Sequence, residues 1–201
     1  MKRSLICLAF LALAGCGSQP TEAPTVTAEI SAPHPAPTVD LEQLRLDFGL
    51  PDCPDTAPDA AALDGGLPQT ELACLGSDKV VNLAGLPREP MVINFWAQWC
   101  GPCREEAPFL REVSQDSDVS FYGVNYNDPQ ADWAIEFAGL VEWRYPHIQD
   151  MDKVTQVPLR LPGLPTTVFV DADGQVAGVH AGAVDSSEQL RALMEQHLGV
   201  S

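Results

Sequence analysis

The pattern of apolar and polar positions divides the chain into short strands and amphipathic helices. Met91-Val92-Ile93-Asn94-Phe95-Trp96-Ala97 is an apolar run broken only by Asn94, the signature of a strand buried on both faces. Val119–Asn125 predicts a second such strand, and Tyr145–Ile148 a short one. Leu72–Leu75 and Val80–Leu83 flank Gly76-Ser77-Asp78 and predict a hairpin. Thr166–Asp171 and Gln175–Ala181 predict another across Ala172-Asp173-Gly174. Helical spacing predicts a helix from Pro102 to about Ser114, kinked at Pro108. A second helix, capped by Asp128, runs from Pro129 to about Leu140 with Trp133, Ile135, Phe137 and Leu140 as packing surface. Met151–Val157 reads as a short helix. Asp185-Ser186-Ser187-Glu188 resembles a capping box opening a last helix to about Leu198. The order is a βαβ unit, which requires a right-handed crossover, then a helical segment, a hairpin and a closing helix.

Trp99-Cys100-Gly101-Pro102-Cys103 lies where the first buried strand gives way to a helix. Two cysteines three apart on one turn can close a small disulfide. The first sits at the helix start, where free N–H groups and the dipole favour a thiolate, the attacking species in thiol–disulfide exchange. The competing reading is half of a zinc site, which needs a second compact cysteine pair. Cys7, Cys16, Cys53 and Cys74 supply none, and His34, His147, His180 and His197 show no ligand spacing. No metal site and no cofactor are predicted, and no nucleotide-binding glycine loop appears.

Asn94-Phe95-Trp96-Ala97-Gln98-Trp99-Cys100-Gly101-Pro102-Cys103 resembles thioredoxin, and more closely its extracytoplasmic TlpA/ResA/DsbE-like branch. A second match is Gly163-Leu164-Pro165-Thr166-Thr167-Val168-Phe169-Val170-Asp171, and the resemblance covers roughly Leu72 to the C-terminus. It implies an α/β thioredoxin fold with an N-terminal β-hairpin extension and a helical insertion, between about Asn127 and Pro162, before the cis-proline hairpin. Pro165 would be the cis proline beside the cysteine pair; an ordinary trans turn is the alternative. Cys100 would be the exposed nucleophile and Cys103 the less exposed resolving thiol, with Trp99 shaping the docking surface. Glu106 lies on the Cys103 face of the helix. The resemblance implies that it tunes the cysteines; a surface glutamate is the alternative. Asn94 stands where many thioredoxins carry a buried aspartate, and it cannot accept a proton.

The first residues read as an export signal over 1–15: Met1-Lys2-Arg3 is basic, and Ser4 to Ala14 is apolar but too short for a standard membrane anchor. Leu13-Ala14-Gly15-Cys16 closely resembles a bacterial lipobox, which implies a lipid-anchored, extracytoplasmic protein acylated at Cys16. A plain secretory signal is the alternative. Residues 16–47 read as an extended, proline-rich linker, with a short helix over Asp40 to Phe48 left open, and 48–201 as the thioredoxin-like domain. With the signal removed and Cys16 lipidated, four cysteines remain in a compartment that permits disulfides. Cys53 and Cys74 then pair as a structural bridge, adding ~3 kcal/mol by loop closure. Two free thiols or a second redox pair are the alternatives.

The net charge of −17, from 28 acidic and 11 basic residues, argues against nucleic acid and anionic lipid surfaces as partners. A partner with a positive surface is compatible. Gly101-Pro102 between the cysteines resembles reducing thioredoxins. The family likeness implies protein disulfides as substrates, apocytochrome c among them, and electrons from a membrane thiol-reductase of the CcdA/DsbD type. An oxidative folding catalyst is the alternative within the same chemistry. A non-catalytic thioredoxin-like interaction module is the alternative of another class.

Overall fold

The computed structural model describes residues 39–200. The signal segment, Cys16 and the linker up to residue 38 lie outside the described residues, as does Ser201. In chain order the elements are α1 (Leu41–Asp47), β1 (Glu71–Cys74), β2 (Val80–Asn82), a 3-10 turn (Leu83–Gly85), β3 (Met91–Trp96), α2 (Gly101–Asp116) and β4 (Ser120–Tyr126). They continue with α3 (Ala131–Leu140), β5 (His147–Asp150), β6 (Thr166–Val170), β7 (Val176–Ala181) and α4 (Ser187–Leu198). One seven-stranded sheet runs in the order β2-β1-β5-β4-β3-β6-β7. β3, β4 and β5 are parallel neighbours, while β6 and β7 on one side and β1 and β2 on the other are antiparallel. This is a mixed α/β thioredoxin-like fold, with the first hairpin added to the β5 side.

Strand alternation assigns each residue of the sheet to one of two cores. Val92 and Trp96 of β3, Phe121 of β4 and Phe169 of β6 pack with apolar residues of all four helices. Met91, Ile93 and Phe95, with Tyr122, Val124, Val168 and Val170, belong to the second core. There the cover is largely irregular chain, including Cys53, Leu67, Leu86, Leu159 and Leu161.

Several elements differ from their sequence-based expectation. The packed body begins before residue 48. α1 is capped by Asp40, which accepts from the Gln43 N–H at 3.0 Å, and Leu41, Leu44 and Phe48 pack on the helical core. Gly139 admits Phe48, because a Cβ there would overlap its ring. Buried Arg45 donates to the carbonyls of Gly76 and Leu50. Met151–Val157 is a series of turns, not a helix. The buried carboxylate of Asp150 draws in the N–H groups of Val154 and Thr155 at 2.9 and 3.1 Å, and Lys153 adopts a left-handed backbone (φ 57°). Asp128 is not the cap of α3, whose N-cap is Gln130. It turns inward and accepts from the Gln98 N–H at 2.8 Å and Asn125 Nδ2 at 3.0 Å. Pro108 lies within α2 without ending it, and Ser186, accepting from the Gln189 N–H, opens α4.

The irregular lead-in from Leu50 to Thr70 has little ladder of its own, so its polar backbone needs other partners. Asn82 Nδ2 lies 2.9–3.2 Å from the carbonyls of Ala57, Pro58 and Ala60, and the Asn82 N–H donates to Thr56 Oγ1. Lys79 Nζ donates to the Cys53 carbonyl and pairs with Asp52 and Asp55. A Cys53–Cys74 disulfide, with an S–S distance of 2.08 Å, fastens this segment to β1.

His147, on β5, is buried against Trp96, Trp143 and Tyr145, with ring centroids 5.0–5.7 Å apart. Neither ring nitrogen has a hydrogen-bond partner. A charged imidazolium has no compensation in such a place, and burial depresses its pKa from 6.5 to about 3.

Two outcomes are expected. With Cys100 and Cys103 both replaced by serine, reduction should lower the unfolding free energy by about 2–4 kcal/mol, read by urea denaturation with and without dithiothreitol. An unchanged midpoint would exclude the bridge as a stabilising element. For His147 the folded pKa lies below the unfolded one. Its contribution to stability is therefore present above pH 6.5 and lost as pH falls towards 3. The imidazole NMR shifts of His147 should stay at their neutral values from pH 8 to 5; a titration near 6.5 would contradict this.

Candidate active site

The end of β3 carries the chain through Ala97-Gln98-Trp99 to Cys100, the N-cap of α2. The Gln98 N–H is tied to Asp128 and the Cys100 N–H to the Ala97 carbonyl, so the approach to the helix is fixed at both ends. Cys100 Sγ accepts from the Cys103 N–H at 3.2 Å. This is the N-cap interaction that serine or aspartate usually makes, performed here by sulfur. It directs one of the free N–H groups of the helix start at the atom on which a thiolate charge would reside. Cys100 and Cys103 are joined by a disulfide, S–S 2.00 Å and Cα–Cα 5.3 Å.

The expectation of an exposed Cys100 needs correction. Its residue is 5 % exposed, against 0 % for Cys103. The sulfur is drawn back over the first turn of α2 by its bond to Cys103 and by the Cys103 N–H. Cys100 nonetheless borders an open cleft, which Cys103 does not. Trp99 forms one wall and is 53 % exposed; its Nε1 donates to the Asn127 carbonyl at 3.2 Å. Tyr126, Asn127, Lys153 and Leu164 supply the rest. Leu164 precedes Pro165 through a cis peptide bond. Thr166 Oγ1 donates to the Gly163 carbonyl at 2.7 Å, and the Pro165 carbonyl accepts from the Gly182 N–H at 3.0 Å. The loop before β6 is thereby held against the cleft.

Glu106 is fully buried, not a surface residue. Oε1 accepts from Asn94 Nδ2 at 2.9 Å and Oε2 from the Val184 N–H at 3.0 Å. Burial raises its pKa from 4.5 to about 7, against the opposing pull of both hydrogen bonds. The phenol of buried Tyr145 is also pushed up, first by burial and then by the nearby Glu106 charge. Asn94 is therefore the donor that holds a titratable carboxyl in the core beneath the pair. A polar residue in the middle of the β3 apolar run was the sequence signal for it. Val184 and the Gln98–Asp128 tie had no such signal, because they depend on chain segments brought together from far apart.

The chain matches the Redoxin family over residues 54–194. Among curated relatives, the thiol:disulfide interchange protein DsbE of Pseudomonas fluorescens biotype C is 34% identical over 121 residues, 59% of this chain and 66% of that protein. The thiol-disulfide oxidoreductase ResA of Geobacillus thermodenitrificans is 28% identical over 109 residues, 53% of this chain and 59% of that protein. The matches thus span 59–66% of these relatives' own lengths. A secreted thiol-disulfide isomerase from Corynebacterium glutamicum superposes with a TM-score of 0.56 at 26% identity, covering 66% of this chain and 83% of that one. The two cysteines at the start of α2, the Pro165 loop and the family match over most of the chain lead to one assignment: this chain belongs to the Redoxin family, as a TlpA/ResA/DsbE-like thioredoxin-family protein.

Proposed function

We propose that this chain is an extracytoplasmic thiol–disulfide oxidoreductase that reduces protein disulfides through Cys100 and Cys103. The observation that carries the reading is the Cys103 N–H aimed at Cys100 Sγ, beside a cleft open to solvent. In the reduced protein the Cys100 thiolate attacks one sulfur of a substrate disulfide. A mixed disulfide forms, the substrate S–S bond breaks, and the departing thiolate takes up a proton. Cys103, having given up its proton, then attacks Cys100 Sγ. The second substrate thiol leaves, and the Cys100–Cys103 disulfide is restored. The substrate gains two electrons and two protons; the pair supplies both electrons and the Cys103 proton, and solvent supplies the other proton.

Leu164 and Pro165 border the path of an extended substrate segment, and Trp99 shapes its docking surface. The names of the relatives, thiol:disulfide interchange protein and thiol-disulfide oxidoreductase, support the same chemistry here. The lipobox-like Leu13-Ala14-Gly15-Cys16 supports export over residues 1–15 and acylation at Cys16. Residues from 16 to the start of α1 then serve as a tether to a membrane. Electrons come from a membrane thiol-reductase of the CcdA/DsbD type, and apocytochrome c belongs to the substrate class. Glu106, with a pKa near neutrality and on the Cys103 face of α2, serves as the group that takes up the Cys103 proton.

Two experiments test the reading. Cys103→Ser should accumulate mixed disulfides through Cys100, Cys100→Ser should accumulate few, and both should fail in multiple-turnover insulin reduction with a thiol donor. Equal alkylation of the two thiols in the reduced protein, or preferential trapping by Cys100→Ser, would reverse the roles. Glu106→Gln should slow release of the mixed disulfide about tenfold or more at neutral pH and shift the thiol titration curve. An unchanged titration curve would remove Glu106 from the mechanism. Its folded pKa is raised, so its contribution to stability is present below pH 4.5 and lost as pH rises through 7. The glutamine variant should lack that decline.

A further inference from the structure

We infer that Lys153 is a specificity-determining residue: it selects substrate segments that carry an acidic side chain next to the reacting cysteine, by pairing with that carboxylate in the Cys100 cleft. The inference rests on the exchange reaction proposed above and names the substrate class it favours.

Among the described residues, Lys153 is the only charged side chain lining the cleft beside Cys100; the other walls are Trp99, Tyr126, Asn127, Gly163, Leu164 and the start of α2. It has no ion-pair partner within 4 Å among the described residues. The other described lysine, Lys79, is by contrast engaged with Asp52 and Asp55. In a chain of net charge −17, a positive side chain in the cleft that Cys100 borders is opposite in sign to most of the chain's charges.

The backbone holds it there. Asp150, buried at the end of β5, accepts from the N–H groups of Val154 and Thr155, and the Gln156 N–H donates to the Lys153 carbonyl at 3.0 Å. This turn fixes Lys153 in the left-handed region at φ 57°, which a side chain bearing a Cβ adopts only where its surroundings impose it. The consequence is a separation of neighbours. Asp152 borders a different depression, together with Glu71 and Met151, while Lys153 borders the cysteine cleft. The turn therefore directs the positive residue of the Asp152-Lys153 pair to the cleft and the negative one away from it.

An extended segment in the cleft runs beside walls that carry no charge except at Lys153. A carboxylate is the one feature that these walls leave to Lys153. Long-range repulsion from the acidic surface falls off within about 10 Å at 0.1 M salt, and a contact pair with the exposed Lys153 is itself weakened by added salt. Lys153 takes no part in bond making or breaking.

The test uses pre-reduced full-length domain, freed of donor thiol, in single-turnover reduction of three cyclic peptide disulfides. They differ only in Glu, Gln or Lys beside one cysteine. The readout is the Glu-to-Lys rate ratio, which separates choice of substrate from overall rate. Between the wild type and Lys153→Glu this ratio should fall about tenfold at low salt, with Lys153→Arg close to wild type and the contrast compressed at high salt. The same ratio in wild type and Lys153→Glu would overturn the inference, even if every rate changed in parallel. Absence of exchange with all three peptides, in correctly folded wild-type protein, would instead overturn the exchange reaction itself, and the inference with it.

Discussion

β3 is buried on both faces along its whole length, and its neighbours are placed by that demand. Val92 and Trp96 require the helices on one side; Met91, Ile93 and Phe95 require cover on the other. Its one polar residue, Asn94, cannot reach water, and an unpaired amide there would be costly. Glu106 answers the donor half of that need from α2, while Asn94 Oδ1 has no hydrogen-bond partner. The end of the same strand delivers Cys100 to the start of the same helix. Strand burial, the Asn94–Glu106 contact and the position of the cysteine pair are therefore one arrangement seen at three depths.

That arrangement also governs charge. Two of the buried titratable groups near β3 are driven towards their neutral forms near physiological pH: Glu106 upwards to about 7, His147 downwards to about 3. Desolvation is the first cause in both cases. Their effects on stability have opposite signs between pH 4.5 and 6.5, where the carboxyl favours lower pH and the imidazole higher pH.

The second face shows how irregular chain substitutes for secondary structure. The lead-in before β1 supplies apolar cover through Leu67 and Cys53 but makes few ladder bonds. Asn82, Lys79 and the Cys53–Cys74 bridge supply the partners that a helix would have found within itself. Proline-rich composition and a disulfide are two parts of one solution, because a segment that cannot form a helix needs long-range ties.

Local chemistry was legible in the sequence. The apolar run, broken only by Asn94, marked β3 as central. The strand-to-helix junction at Trp99-Cys100-Gly101-Pro102-Cys103, with the downstream Leu164-Pro165, marked the fold and the reacting pair, because spacing along one turn and proximity to a helix start are properties of consecutive residues. Contacts between distant segments were not legible. Asp128 reads as a helix cap, yet it holds the Gln98 N–H; Met151–Val157 reads as helix, yet Asp150 gathers it into turns. The linker-like start of the domain conceals α1, whose short helix is held by packing on α3 and by Arg45. The burial of Glu106 and the cleft position of Lys153 depend on β6, the segment after β7 and the turn after β5 folding back around α2. Sequence by itself determined which residues can do redox chemistry and on which element they sit. Tertiary structure decided which polar groups face them, since desolvation and partner geometry exist only once distant parts of the chain enclose the same space.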